Sequence, residues 1–376
     1  MRPARRGSGG PTDEAAWMRR ALRLASRGRG RTSPNPMVGA VIVKGGRVVG
    51  EGWHRELGGP HAEVNALQAA GGAARGATVY VTLEPCCHWG RTPPCTEALI
   101  GAGVARVVAA CRDPNPRVNG KGLAALRAAG ISAQVGLLEA EAQELNEAYL
   151  KHTATGQPFV ALKAAMTLDG KIATAAGESK WITGERARAY GRRLRSWHDA
   201  VLTGVGTVRA DDPELTARLR GRARGGREPL RVAADSRART PPTARLLVAA
   251  SRAPVIAVTE HAPAARRRRL EAAGAQVWVL PSQGGRVNLG ALLERLGELG
   301  VQSVLVESGG TLAAAVLEAG LVDRVYFFVA PRLVGGRGAL TPIEGEGRAL
   351  SQAWEVERIR VRRVGEDLLI TGRVGG

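Results

Sequence analysis

The sequence predicts two α/β layered domains in one chain. At 376 residues it is long for one domain and comfortable for two. Strand-like and helix-like patterns alternate to about residue 150, and a fresh alternation starts after Gly156-Gln157-Pro158, the best linker candidate. The expected division is a tail at residues 1–12, a first domain at 13–154 and a second at 158–376.

In the first domain Thr12–Ser26 reads as a helix capped by Thr12 or Asp13. Gly39–Lys44 and Arg47–Gly52 form a hairpin around Gly45-Gly46. Ala62–Ala70 is helical, Thr78–Leu83 a strand, Thr96–Gly101 a helix start and Arg106–Ala110 a strand. Helices at Gly120–Ala129 and Glu139–Lys151 complete it. In the second domain Phe159–Ala165 is a strand, Glu185–Arg195 a helix and Ala200–Thr203 a strand. Strands follow at Leu230–Ala234, Val255–Val258, Val277–Leu280, Ser303–Glu307 and Arg324–Val329, with helices between the later ones. Leu219–Arg227, built of Arg, Gly, Ala and Leu, reads as a mobile surface loop.

Apolar runs such as Val325–Ala330 are too short to span a bilayer. Met1–Thr12 has arginines but no apolar run behind them, so it reads as a disordered tail on a cytoplasmic protein. Of four cysteines three crowd into Cys86–Cys95, which suggests metal binding rather than disulfides. A net charge of +20 fits phosphorylated small-molecule ligands plus compositional bias toward arginine. Nucleic acid ranks last, because aromatics are only 4% and offer few stacking platforms. No membrane partner is expected, and a homo-oligomer is.

The strongest chemical signal is His61-Ala62-Glu63, then Pro85-Cys86, then Cys95. It matches the signature of zinc deaminases that act on pyrimidine-type rings. One imidazole and two thiolates leave a fourth tetrahedral position for water, which zinc acidifies to a pKa of roughly 7. Glu63, beside the ligands but not one of them, can then shuttle a proton to the leaving amine. Eight residues separate the two cysteines where the short form has two, and Cys87 or His88 could in principle complete a closed structural site. The catalytic reading stands ahead of the structural one. Cys87 reads as a bystander, and Cys111 as a buried small hydrophobe.

The second half lacks G-x-G-x-x-G, since Gly204-Val205-Gly206 has no third glycine. Instead Ser303–Glu307 runs through Ser308-Gly309-Gly310 into a helix at Thr311–Ala319, whose first amides could cradle a pyrophosphate.

Ser33-Pro34-Asn35-Pro36-Met37-Val38-Gly39, His61-Ala62-Glu63 and the run Thr82-Leu83-Glu84-Pro85-Cys86-Cys87-His88-Trp89-Gly90-Arg91-Thr92-Pro93-Pro94-Cys95 closely resemble the bifunctional riboflavin-biosynthesis deaminase/reductases. So do Asp113-Pro114-Asn115-Pro116, Leu168-Asp169-Gly170-Lys171, Ser179-Lys180-Trp181-Ile182-Thr183, Asp211-Asp212-Pro213 and Gly309-Gly310-Thr311-Leu312. The long cysteine spacing is that family's own form. The resemblance implies a cytidine-deaminase-like domain followed by a dihydrofolate-reductase-like one. It implies deamination of 2,5-diamino-6-ribosylamino-pyrimidinone 5′-phosphate and NADPH-dependent reduction of the ribosyl chain to ribityl.

By the same resemblance His61, Cys86 and Cys95 hold one zinc and Glu63 is catalytic. NADP would touch Ala165, Trp181, Thr207, Asp211, Ser236 and Gly309, Gly310, Thr311, Leu312, Ala313, Ala314 and Ala315. Substrate would touch Ser179, Arg195, Leu215, Arg218 and Glu307, with Asn35, Lys163 and Asp199 weaker. Arg195 and Arg218 are expected to grip the substrate phosphate, although any one arginine in so basic a chain is more often a solvated charge. Ser308 stands where a glycine is expected and would be strained if that position needs φ > 0. A tRNA-editing deaminase with an appended domain and a non-catalytic zinc module are the competing readings. The insert at Gly90–Pro94 and the second half disfavour the first, and an intact Glu63 disfavours the second.

Overall fold

The structure is a computed structural model that describes residues 12–90, 92–218, 228–248 and 252–375. Of the expected tail only Thr12 lies within these residues; the Leu219–Arg227 loop and the side chains of Thr12 and Asp13 lie outside them. The chain forms two compact units that part between Thr155 and Gly156.

The first unit contains α1 (Thr12–Ala25), β1 (Gly39–Lys44), β2 (Arg47–Trp53), α2 (Ala62–Ala70), β3 (Thr78–Val81) and α3 (Cys95–Gly101). It continues through β4 (Arg106–Ala109), α4 (Lys121–Ala128), β5 (Ser132–Val135), α5 (Glu139–Leu145) and α6 (Glu147–Thr155). Its sheet has the order β2-β1-β3-β4-β5. The β1–β2 and β1–β3 pairs are antiparallel, and β3–β4 and β4–β5 are parallel. Gly45 and Gly46, with φ of 57° and 74°, make the tight turn of the β1–β2 hairpin.

Alternate strand residues feed two cores. Ala40, Ile42, Val79, Val81, Val107 and Ala109 pack with α2, α3 and α4. Val41, Val43, Tyr80 and Val108 pack with Met18, Ala21 and Leu24 of α1 and Ala142 of α5. Cys111 joins this second core at 1% exposure, as a small hydrophobe should.

The helix expected over Glu139–Lys151 is interrupted at Asn146. Its side-chain amide donates to Met37 O and accepts from Met37 N, both at 2.8 Å. A buried amide used twice in this way outweighs helix continuity and fixes the loop that carries Asn35.

The second unit contains β6 (Phe159–Thr167), α7 (Glu185–Trp197), β7 (Ala200–Gly204), α8 (Val205–Asp211), β8 (Leu230–Ala234), α9 (Arg245–Val248), β9 (Val255–Thr259) and α10 (Ala264–Ala272). Then come β10 (Gln276–Leu280), β11 (Ser282–Gln283), β12 (Arg286–Val287), α11 (Leu289–Glu298), β13 (Ser303–Glu307), α12 (Gly310–Glu318), β14 (Arg324–Ala330), β15 (Val356–Val364) and β16 (Asp367–Val374).

The nine-stranded sheet has the order β10-β9-β8-β7-β13-β6-β14-β16-β15. It is parallel from β10 to β14, and the C-terminal hairpin adds two antiparallel strands. One face buries Val160, Leu202, Val232 and Val304 against α11 and α12. The other buries Ala233, Ile256 and Val258 against α8, α9 and α10.

The sequence reading missed β15 and β16. β15 is an edge strand dense in arginine, with Ile359 and Val361 58% and 59% exposed. Its alternation does not mark a buried face, so periodicity gave no signal.

We expect fragments 13–154 and 158–376 to fold independently, since each contains whole sheets and both faces of its own core. Each should melt cooperatively by circular dichroism; a fragment that melts without a transition would show the boundary to be misplaced.

Candidate functional site

In the first unit the sequence brings α2 tightly onto β2. A Cβ at Gly52 would strike Ala62 O and Ala66 N, and one at Gly50 would strike Ala66 O. Asn65 Nδ2 also donates to Trp53 O at 2.9 Å. His61 then occupies the N-cap position of α2, with Glu63 in its first turn.

The two thiols arrive on the segment that leads from β3 into the start of α3. Cys86 O accepts from Thr96 N at 3.1 Å and from Thr96 Oγ1 at 3.3 Å. Cys86 Sγ accepts from Cys95 N at 3.3 Å, at the start of α3. The segment between them is therefore tied at both ends, and the long spacing leaves the ligand geometry intact.

His61 Nδ1 lies 3.2 Å from Cys95 Sγ and 3.6 Å from Cys86 Sγ. All three ligand atoms lie within 4.8 Å of one another. Tetrahedral zinc, with bonds of about 2.0–2.3 Å, sets neighbouring ligand atoms roughly 3.5 Å apart, so the donor set fits the ion. Thr92 Oγ1 lies 3.4 Å from His61 Nε2 and can orient the ring from behind. Cys87 Sγ turns away to Arg117 O at 3.6 Å, and neither Cys87 nor His88 belongs to the cluster. That leaves three ligands, the number of an open site, among the described residues.

The two thiols behave as a pair. The hydrogen bond with Cys95, ahead of burial and helped by His61, pulls Cys86 down to about 4. The same hydrogen bond, from Cys86, pushes Cys95 up. Burial, then the Cys86 charge, raises Glu63 to about 7. The carboxyl is 3% exposed and within hydrogen-bonding reach of Cys95.

Glu84, quoted in the sequence only as part of a motif, anchors this loop. Its Oε2 accepts from Gly120 N at 2.9 Å and Asp113 N at 3.4 Å, and its Oε1 from Leu123 N at 3.1 Å. A Cβ at Gly122 would strike Pro85 O, so α4 presses directly on the Pro85-Cys86 segment.

His54, also missed, is buried beside His61, with ring centroids 5.4 Å apart. Burial lowers its pKa, which favours the neutral ring. Nδ1 then donates to Pro60 O at 3.1 Å, and Nε2 accepts from Asn35 Nδ2 at 3.2 Å. No sequence pattern marks a lone histidine after a strand.

In the second unit the expected residues gather at the C-terminal ends of β6, β7 and β13, where open parallel sheets place ligands. Glu307 of β13 accepts from Arg195 Nε and Nη2 at 2.8 and 2.9 Å, with Lys163 Nζ of β6 at 3.6 Å. Arg195 Nη1 donates to Thr216 O at 3.1 Å. The fork expected to face a phosphate thus faces a carboxylate. Burial works against the charged Glu307, but the charges and hydrogen bonds of Arg195 and Lys163 outweigh it and hold the group at about 2.

Gly309 N donates to Thr207 Oγ1 at 3.0 Å, joining the starts of α12 and α8. The amides of Gly310, Thr311 and Leu312 open α12 with no carbonyl four residues back, a donor set that suits a pyrophosphate. Ala313 and Ala314 are buried and offer at most backbone to a ligand. Ser308 is absent from the positive-φ residues, so serine costs no backbone strain there.

Asp211 Oδ1 accepts from Ser179 Oγ at 2.9 Å, and Trp181 is 62% exposed beneath Arg188. Ser236 Oγ accepts from Val287 N at 3.0 Å. Ala165 is half-buried on β6, Leu215 is buried with φ 56°, and Arg218 pairs with Glu214. Asp199 lies elsewhere. It precedes β7 and its Oδ2 accepts from Gln302 N and Ser303 N at 2.9 and 3.1 Å, so it ties the opposite, N-terminal ends of the strands.

Residues 158–370 match the family model of the RibD C-terminal domain, more than half of the chain. The chain belongs to the RibD family. Residues 11–111 match the zinc-binding region of cytidine and deoxycytidylate deaminases. The architecture is therefore a cytidine-deaminase-like half followed by a reductase half of the dihydrofolate-reductase-like class.

The riboflavin biosynthesis protein RibD of Actinobacillus pleuropneumoniae is 44% identical over 355 residues, covering 94% of this chain and 93% of that protein. RibD of Escherichia coli is 44% identical over 365 residues, covering 94% and 97%. Among solved structures, Acinetobacter baumannii RibD superposes with a TM-score of 0.86 at 41% identity, covering 97% of this chain and 99% of that one. The Thermotoga maritima protein gives 0.82 at 36% identity with the same coverage, and is described as a diaminohydroxyphosphoribosylaminopyrimidine deaminase/5-amino-6-(5-phosphoribosylamino)uracil reductase.

Two outcomes follow for the RibD halves. Glu84→Ala strands three amides at the base of the zinc loop and should cost about 2–5 kcal/mol, read by urea unfolding of the deaminase half, with zinc content falling alongside. An unchanged midpoint would mean water replaces the carboxylate. For Glu307, an unfolded glutamate titrates near about 4.3, above its folded value of about 2. The stability this provides is full above the unfolded pKa and is lost as pH falls through the folded one. Glu307→Gln should therefore make the unfolding midpoint less pH-dependent between about pH 5 and 2. Equal slopes in the two proteins would exclude the effect.

Proposed function

We propose that this chain is a bifunctional enzyme of riboflavin biosynthesis. The first half deaminates 2,5-diamino-6-ribosylamino-4(3H)-pyrimidinone 5′-phosphate, consuming water and releasing ammonia. The second reduces the ribosyl chain to ribityl with NADPH, giving 5-amino-6-ribitylamino-uracil 5′-phosphate. The observation that carries the reading is the three-ligand cluster of His61, Cys86 and Cys95 with Glu63 beside it, in a chain alike to RibD over nearly its whole length.

Zinc bound there would supply a Lewis acid that makes water nucleophilic at neutral pH. Glu63 takes the proton of the attacking water on its carboxylate oxygen and returns it to the departing amine. Asn35, its Nδ2 bound to neutral His54, presents its carbonyl oxygen to the pyrimidine.

NADPH would supply the hydride of the second step. The amides opening α12, with Thr207, Ser236, Asp211, Trp181 and Ala165 around them, hold the cofactor in this reading. Glu307, fixed by Arg195 and Lys163, orients the sugar hydroxyls, and Lys163 Nζ stands ready to give a proton to the ring oxygen that leaves C1′ as that carbon is reduced. Ser179, Leu215 and Arg218 complete the substrate pocket.

Four cysteines without disulfides support a reducing, cytoplasmic setting. Among the described residues no helix is long and apolar enough to cross a membrane. The exposed Ile359 and Val361 on edge strand β15 support a homo-oligomer.

Incubated with the diaminopyrimidinone phosphate, the protein should yield the deaminated mass alone, and the ribityl product once NADPH is added. Glu63→Gln should keep about one zinc per chain by elemental analysis while losing deamination. Loss of the metal in that variant would make Glu63 a ligand and sink its assignment.

A further inference from the structure

Lys163 and Glu307 stand side by side in the sheet, paired in register on β6 and β13. Val306 pairs in the same way with Leu202 of β7, so the residues that follow, Glu307 and Thr203, are neighbours too. Successive residues of a strand face opposite sides of the sheet. Leu162, Leu202 and Val306 point into the core beneath α11 and α12, so Lys163, Glu307 and Thr203 share the other face. They form one row there, on strands about 4.8 Å apart. α7 covers the row, since a Cβ at Gly191 would come 3.9 Å from Lys163 Cε. Beyond Thr203 the row reaches Ala233 of β8, which has no polar side chain.

Thr203 is fully buried, and its hydroxyl has no hydrogen-bond partner among the described residues. A buried hydroxyl without a partner destabilises a fold, and valine would keep the β-branched shape without it. The strand therefore accounts for the branching and not for the oxygen. Glu307 is the acceptor beside it in the row. That carboxylate is held by Arg195 Nε and Nη2 at 2.8 and 2.9 Å and by Lys163 Nζ at 3.6 Å. The lysine contact is the long one, and it is the one given up when Nζ turns to the ring oxygen of the substrate. A carboxylate offers about four acceptor sites, so a buried one that loses a donor needs another.

We propose that Thr203 is a positioning residue of the reductase half, whose hydroxyl donates to Glu307 when Lys163 Nζ moves to the substrate. A hydroxyl rotates to suit its acceptor, so the exchange moves no backbone. Glu307 keeps its place and its charge through the step. The proposal rests on the reductase reading above and adds a residue to it that touches neither substrate nor cofactor.

The test pairs unfolding with turnover. In the otherwise unmodified chain Thr203→Val removes an unpartnered hydroxyl, so the urea midpoint should stay or rise. Lys163→Met takes the ammonium from Glu307 at rest. In that background the same Thr203→Val change should lower the midpoint, a coupling that needs no catalysis to be seen. In turnover, Thr203→Val should lower kcat on the aminouracil about ten- to a hundredfold and leave KM for NADPH unchanged. Thr203→Ser should restore most of the rate. An unchanged kcat in Thr203→Val overturns the proposal, as does the same midpoint change in both backgrounds. A valine variant that loses midpoint and rate together, with no rescue by serine, assigns Thr203 to packing and overturns it too. Failure of the unmodified chain to reduce the aminouracil sinks the reductase reading, while the unfolding comparison still decides whether Thr203 serves Glu307.

Discussion

A carboxylate taken out of water must be satisfied by donors that are held in place, and each half of this protein is organised around one such group. Glu84 gathers amides from Asp113, Gly120 and Leu123, and so binds the start of α4 to the segment that delivers Cys86. Glu307 gathers Arg195 and Lys163, and so binds α7 and β6 to the end of β13. Neither oxygen pair can drift without stranding charge or donors in a dry interior. The reactive groups inherit that rigidity.

The two carboxylates are satisfied differently, and this separates their roles. Glu84 is met by backbone amides alone, which fix position and are not themselves exchangeable by rotamer. Glu307 is met by two long cationic side chains, which can yield to hydroxyl groups of a ligand. The first arrangement suits a scaffold for metal ligands. The second suits a pocket whose contents change during turnover.

Much of this was legible in the sequence because the chemistry demands particular side chains at short range. His61, Glu63, Cys86 and Cys95 could be read together because zinc accepts few donor sets. The alternation of elements was legible wherever strands are buried on one or both faces. What escaped was set by tertiary partners. Asn146 breaks a helix only because Met37 offers both its backbone groups. His54 matters only because a hairpin end brings it against His61. Arg195 meets Glu307 only because β13 brings that carboxylate opposite its fork. In so arginine-rich a chain, sequence gives no means of telling a solvated guanidinium from a committed one.

The tying of the segment between Cys86 and Cys95 at both ends has a wider consequence. Its two ends are tied together by Cys86 O, Cys86 Sγ and the first residues of α3, so the ligands are held at its base. Residues of that segment that touch no ligand can be exchanged at less risk to metal coordination than Thr92, whose Oγ1 lies 3.4 Å from His61 Nε2. Trp89, 65% exposed, is such a residue, tied through its carbonyl oxygen to Arg117 rather than to a ligand. A scaffold of this kind separates the side chains that could meet a ring from those that hold the metal.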